Sequence, residues 1–389
     1  MLRYVGRKNN SFVIKYVKNN SKGGINMENT RKPYLDNIRW LTVVIVVIYH
    51  VIYMYNGVQL FGVIGPFKEH QLQDAFQYMV YPWFMALLFV VSGMSSRYYL
   101  EIHNTKEFFK TRTQKLLIPS TIGLFVFQWI LGYFNMQIGG SIESFSAVPK
   151  PVLYVIMVIS GIGPLWYIQV LWIFSIILIL VKKIENDKIW RIAEKTPVWF
   201  IVLLTLCTYL AAQILNTPIV TVYRFGIYGF CFFTGYFIFS HDEVILRLSK
   251  WWYLFDIIAI VLGISYTVIY FGENYAIVPV INNPLACVYC WFAILAIIST
   301  MKKYGNITNE FTQWMSNKSW GIYIFHYLLI AVVAFYLNHN ITDMPVLLVY
   351  LIVGISAFAG SIILYEIISR IPIIRWCILG IKKEKKKNV

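Results

Sequence analysis

Charge is what this chain has least of. Of 389 residues 13% are charged and 58% are hydrophobic, whereas a soluble globular chain is roughly a quarter charged. A soluble enzyme is excluded on that ground. Cysteine is scarce too: five residues, all in or beside apolar stretches, describe no disulfide scaffold. Cys287 and Cys290 have the spacing of half a zinc site, but no second pair or histidine accompanies them. They read as small apolar helix residues, and no metal is expected. There is no G-x-x-x-x-G-K-[ST] phosphate loop, no G-x-S-x-G elbow and no H-E-x-x-H pair. His70 and Asp74 are separated by three residues, one too few for a soluble H-x4-D catalytic motif. Internal repeats are missing, and with them a sign of many secondary transporters.

What is present is a series of apolar blocks of about 20 residues, the length that crosses a bilayer as a helix. They are apolar all round rather than alternating, so a barrel is excluded. The fold expected is all-α and polytopic, with about ten transmembrane helices near 38–55, 77–94, 116–134, 164–181, 198–214, 222–239, 251–270, 284–301, 319–337 and 345–368. Thirty-one of the 34 Lys and Arg then fall on one side; Lys68, Lys150 and Arg224 fall on the other. This asymmetry predicts both termini in the cytoplasm and a multi-pass protein of the plasma (inner) membrane. It also accounts for the net charge of +16 without nucleic acid, for which no basic, aromatic groove on a soluble domain exists.

Residues 1–33 are polar and basic and read as a disordered extension. They lack the apolar core of a secretory leader, and Met27 is a plausible true start. Residues 34–370 form the membrane domain, and 371–389 a basic cytoplasmic tail facing anionic lipid. In the outer loop 135–163 the apolar piece VLYVIMVIS is too short to span. A re-entrant or interfacial segment is expected there.

The chemistry-bearing candidates are few. His50 interrupts the first span, YLDNIRWLTVVIVVIYHVIYMYN. From a start near Ile38 it lies roughly 18 Å along the axis, well inside a hydrocarbon core about 30 Å thick. An ionisable group at that depth is costly and is by default functional; a neutral imidazole there suits a general base. A structural histidine is the alternative. Asp36 and Arg39 flank the cytoplasmic mouth of the same helix one turn apart and are placed to pair; Arg39 alone also fits snorkelling to lipid phosphates. Arg112 and Lys115, three apart before LLIP, suit a phosphate-rich ligand or plain topology signalling. His326 lies about 10 Å into the ninth span, a second intramembrane histidine in a chain with six. Trp166 and Trp172, near the outer end of the fourth span, read as an interfacial aromatic belt or as a surface for stacking sugars.

YLDNIRWLTVVIVVIYH, the SG of the second span, R-x-x-K before LLIP, GPLWYIQVLW and SWGIYIFH occur in that order. In this the chain resembles the acyltransferase 3 family of integral-membrane acyltransferases from about Tyr34 to Arg370. The resemblance implies ten helices with cytoplasmic ends and transfer of acyl groups, often acetyl, to hydroxyls of exported carbohydrates or envelope polymers. It places the family's proposed catalytic histidine on His50 and its first-span arginine on Arg39. Its R-x-x-R pair falls on Arg112 and Lys115; the second position departs, since lysine keeps the charge but loses the bidentate fork. The implied donor is acyl-CoA, most simply acetyl-CoA with succinyl second, its phosphates held by Arg39, Arg112 and Lys115. Trp166 and His326 fall to the acceptor side. An acceptor-specific partner protein is compatible with a chain that carries no second catalytic domain. The reading set against this one is a transporter or flippase for a saccharide or lipid-linked saccharide, which moves substrate without consuming a thioester.

Overall fold

The computed structural model describes residues 32–58, 62–67, 71–145, 147–217, 222–340 and 344–382. Residues 1–31 of the N-terminal extension, Met27 among them, and Lys68, His70 and residues 383–389 lie outside the described residues. Among the described residues the protein is all α, with no strand beyond one isolated bridge, Asn216 to Arg224.

Seven helices are long and apolar enough to cross a membrane. They are α1 (Pro33–Tyr53), α2 (Leu72–Ile102), α5 (Gly163–Glu185), α8 (Trp252–Tyr270), α9 (Pro284–Lys303), α10 (Glu310–His339) and α11 (Val346–Arg370). Four shorter apolar helices lie between them: α3 (Leu124–Ile138), α4 (Lys150–Ser160), α6 (Val198–Ala212) and α7 (Phe225–Phe239). The expected count of about ten long spans is therefore corrected to seven. The spans expected at 116–134, 198–214 and 222–239 are the ones that come out short. Proline explains the first: Pro119 has no N–H to donate. Around it the chain runs through a π-helical turn at Thr113–Leu117 and a non-helical turn before α3 begins. The second begins at Val198, after Pro197, as expected, but closes at Ala212, two residues early. The segment 152–160, expected to be too short to span, lies within α4, an 11-residue helix.

The tail segment opens as structure rather than as solvated chain. Helix α12 (Pro372–Leu379) buries Cys377, Ile378 and Leu379, and Trp320 of α10 donates to the Leu379 carbonyl at 3.1 Å.

Helix α2 is the centre, with 78% of its most apolar window buried, against 28% for α8 and 22% for α11. The rim helices expose Ile257, Ile260, Ile264, Val268, Leu347, Leu351, Ile355 and Ile363, an apolar surface that only lipid accommodates. Two glycines let α7 lie on α2. A Cβ on Gly93 would sit 1.9 Å from the Phe232 carbonyl oxygen, and one on Gly235 2.1 Å from that of Val90. The SG of the second span is thus in part a packing signal. Helix α1 packs against α10, α2 and α9, which brings the two intramembrane histidines onto facing helices.

The bundle has two unlike ends. At the end holding the start of α1, Lys32 pairs with Asp242, Arg97 with Asp187 and Lys318 with Glu366. Lys and Arg are abundant there. At the other end the described cations are Lys150 and Arg224, and tyrosines gather instead.

Candidate active site

His50 and His326 meet. The Nδ1 of His50 is 3.1 Å from the Nε2 of His326 and 2.9 Å from the Val46 carbonyl oxygen. The Nδ1 of His326 is 3.1 Å from the Ile322 carbonyl and 2.9 Å from that of Tyr323. These distances assign the neutral tautomers by elimination. A carbonyl only accepts, so the Nδ1 of each ring carries the proton. The Nε2 of His326 is then a lone pair, and the Nδ1–H of His50 is shared between it and the Val46 carbonyl in a three-centre bond. What remains is the Nε2 of His50, whose lone pair is uncommitted among the described residues. His50 is half-buried, whereas His326 has no exposed surface. Of the two, only His50 keeps exposed surface; His326, expected at an acceptor position, lies against it.

Aromatic rings enclose the pair. Tyr327 lies 4.9 Å and Tyr49 5.0 Å from the His50 ring, centre to centre. Tyr49 stacks on Tyr53 and Tyr81, each at 5.8 Å, and its hydroxyl meets that of Tyr275 at 3.2 Å.

Toward the basic end the site becomes a ladder of hydroxyls. Arg39 pairs with Asp36 at 2.6 Å, as their spacing leads one to expect, and also donates to Ser95 Oγ. Arg112 donates to Ser96 Oγ at 2.7 Å. Ser95 and Ser96 pass their own protons to the Val91 and Ser92 carbonyls at 2.6 and 2.7 Å. One turn further, Ser92 Oγ meets the Tyr167 hydroxyl at 2.8 Å. The Tyr167 ring lies 6.1 Å from that of Tyr323, which lies 6.3 Å from that of His326. A line of polar groups therefore runs from two arginines to Tyr167, and ring contacts through Tyr323 continue from there to the histidine pair.

Lys115 stands apart from this line. It lies in the π-helical turn Thr113–Leu117 and is exposed. The wider turn, closed by Ile118 N–H to the Thr113 carbonyl at 3.1 Å, advances each residue by less than the α-helical angle. Arg112 and Lys115 thus differ in surroundings, the first bonded to Ser96 and the second exposed. Trp172 donates to Thr113 Oγ1 at 3.1 Å; it braces this turn. Trp166 packs at 5.5 Å on Tyr228, 5.9 Å on Tyr223 and 6.4 Å on Tyr167. Asp256 accepts from Thr300 at 2.8 Å. Cys287 and Cys290 are buried in α9, and no group of three or more His, Cys, Asp or Glu able to hold a metal occurs among the described residues.

Sequence reasoning missed Ser92, Ser95, Ser96, Tyr167 and Tyr323. The serines did leave a trace, since three hydroxyls at i, i+3 and i+4 share one helix face within an otherwise apolar run.

No curated protein and no solved structure matches the chain. Residues 32–366 match the acyltransferase domain of the acyltransferase 3 family. That match covers most of the chain and spans every residue of the ladder and the histidine pair, so this protein belongs to that family of membrane-embedded, acyl-CoA-dependent acyltransferases.

Proposed function

We propose that the protein moves an acetyl group from cytoplasmic acetyl-CoA to a hydroxyl of a carbohydrate or cell-envelope acceptor, with His50 as general base. Succinyl is the second acyl candidate. The observation that carries the reading is the free Nε2 lone pair of His50, enforced by the bond from its Nδ1 to His326. This reading puts both termini and the basic end on the cytoplasmic side of the plasma membrane. Helices α3, α6 and α7, short as they are, complete a ten-span path.

Arg39 and Arg112 hold the donor's phosphates, with Lys115 contributing charge at the rim. Arg39 precedes His50 by 11 residues on one helix, roughly 16 Å along its axis. The thin arm of the donor follows the serines of α2 over that span. The acceptor enters from the tyrosine end, with Trp166 as a sugar-facing surface; an acceptor-delivering partner protein fits there too.

The reaction balances simply. The acceptor oxygen bonds to the thioester carbonyl carbon as its proton passes to His50 Nε2. The C–S bond breaks, and the departing CoA sulfur takes that proton. In between His50 is an imidazolium, stabilised by donating from Nδ1 to His326 Nε2. Purified protein in nanodiscs, given acetyl-CoA and an envelope saccharide extract, should release free CoA and add one acetyl mass to a glycan. Movement of saccharide across the bilayer without thioester loss would overturn the reading.

A further inference from the structure

One cation is isolated from the rest. Arg224 begins α7 at the end of the bundle opposite Arg39 and Arg112, and 4% of its surface is exposed. A guanidinium withdrawn from water needs a counter-charge or a complete set of acceptors. The acceptors Arg224 finds among the described residues are neutral. They are Asn282 Oδ1 at 2.6 Å, the Ile281 carbonyl at 3.4 Å and the Tyr228 hydroxyl. Its Nε has no acceptor, and neither does the Nδ2 of Asn282, which is itself buried. Because the oxygen of Asn282 is committed to the arginine, turning the amide over would cost that bond. Two neighbouring residues thus carry buried donors without acceptors, together with a positive charge that has no anion among the described residues. Such orphaned groups call for a partner the chain does not supply.

The surroundings indicate what that partner is attached to. The guanidinium lies 5.9 Å from the Tyr228 ring, and Tyr228 packs on the half-buried Trp166 at 5.5 Å. The apolar C–H face of a sugar ring packs on such aromatic faces, while an ionised substituent of that sugar requires a cation. Tyr81 lies within the field of Arg224 and stacks on Tyr49 beside His50, so the same aromatic layer links this cation to the base.

We propose that Arg224 and Asn282 hold an ionised group of the acceptor, a carboxylate or a phosphate, so that the acceptor is an acidic sugar or a sugar phosphate. This rests on the acceptor entering at the tyrosine end. Arg224 gives a forked, charge-assisted contact, and Asn282 adds a neutral donor.

The test uses full-length protein in nanodiscs and the probes glucuronate, glucose 6-phosphate and glucose at matched ionic strength, read by the thermal unfolding midpoint. At least one anionic probe should raise the wild-type midpoint with half-saturation about tenfold below that of glucose, as one charge-assisted contact implies. Whether glucuronate or glucose 6-phosphate does so identifies carboxylate or phosphate. Arg224→Gln should remove the preference. Asn282→Asp should remove it as well while remaining folded, because the new carboxylate gives Arg224 an internal counter-ion. Acetyl-CoA should raise the midpoint in all three proteins; loss of that response in wild type would fault the donor reading rather than this one. Equal responses of wild type to all three sugars, or an Asn282→Asp protein that keeps the preference, would overturn the proposal.

Discussion

The two approaches to the histidine pair satisfy their polar groups in opposite ways. On the basic side, arginine donates to serine and serine donates to a backbone carbonyl, so the chain is self-contained. Arg39 nevertheless keeps 38% of its side chain exposed, as a cation must if it is to meet phosphates arriving from water. On the tyrosine side, rings stack on rings, and the buried cation is left with unpaired donors. On one approach the cations that line the path are bonded and partly wet; on the other a buried cation is left incomplete. A soluble, highly charged donor suits the first, and a less mobile acceptor that fills the remaining valences suits the second.

The sharpest break of this comparison is at its midpoint. His50→Ala should leave the protein in the membrane and lower the rate of acyl transfer by about 10²- to 10⁴-fold, the usual worth of a positioned general base. Wild-type turnover by that variant in a free-CoA release assay would remove the base from the scheme.

Next in size comes the residue that holds the base. His326→Leu should lower kcat roughly 10- to 100-fold, the loss of one hydrogen bond to a charged group, with the KM for acetyl-CoA unchanged. His326→Gln should recover much of that loss, because its Oε1 accepts from the His50 Nδ1–H. A merely structural role gives no reason for Gln to outperform Leu, so equal kcat values for the two would reject it.

These two variants also mark where the sequence was legible. Each histidine stood out alone, as an ionisable group in an apolar run. Their union did not, because 276 residues separate them and no local periodicity records which helices face each other. The R-x-x-K spacing carried no sign of the π-turn at Thr113–Leu117, which leaves Arg112 on Ser96 and Lys115 exposed. Span number erred in part where Pro119 delays a helix start that hydropathy alone does not register. Glycine 93 was seen as a motif letter, but its reason, the close approach of α7, exists only in three dimensions.

A smaller effect separates the two halves directly. Arg112→Ala should raise the KM for acetyl-CoA about tenfold, as for one lost charge-assisted contact, with kcat nearly intact. Lys115→Ala, at an exposed position, should change KM by less than about threefold. If Lys115→Ala has the larger effect, the π-turn does not divide their roles as drawn.

The smallest expected effect lies behind the ladder, where Arg97 follows Ser96. Arg97 is held by Asp187 at 2.6 Å and lies 3.7 Å over the Trp190 ring; Lys182 also reaches Asp187, at 3.1 Å. Burial raises the Asp187 carboxyl, but hydrogen bonds from Lys182 and Arg97 prevail and hold it below the usual carboxylate range. A carboxylate depressed in this way stabilises the fold at pH values above its unfolded pKa of about 4. That contribution is lost as pH falls through the lower folded value. Asp187 also has φ of 60°, a conformation asparagine tolerates, so Asp187→Asn removes the charge without adding backbone strain. Its midpoint should lie below wild type at pH 7, and the gap should close on acidification, while the KM for acetyl-CoA stays put. A shifted KM would mean that this pair shapes the donor site itself, and the self-contained half of the comparison would then extend a full turn deeper than Ser96.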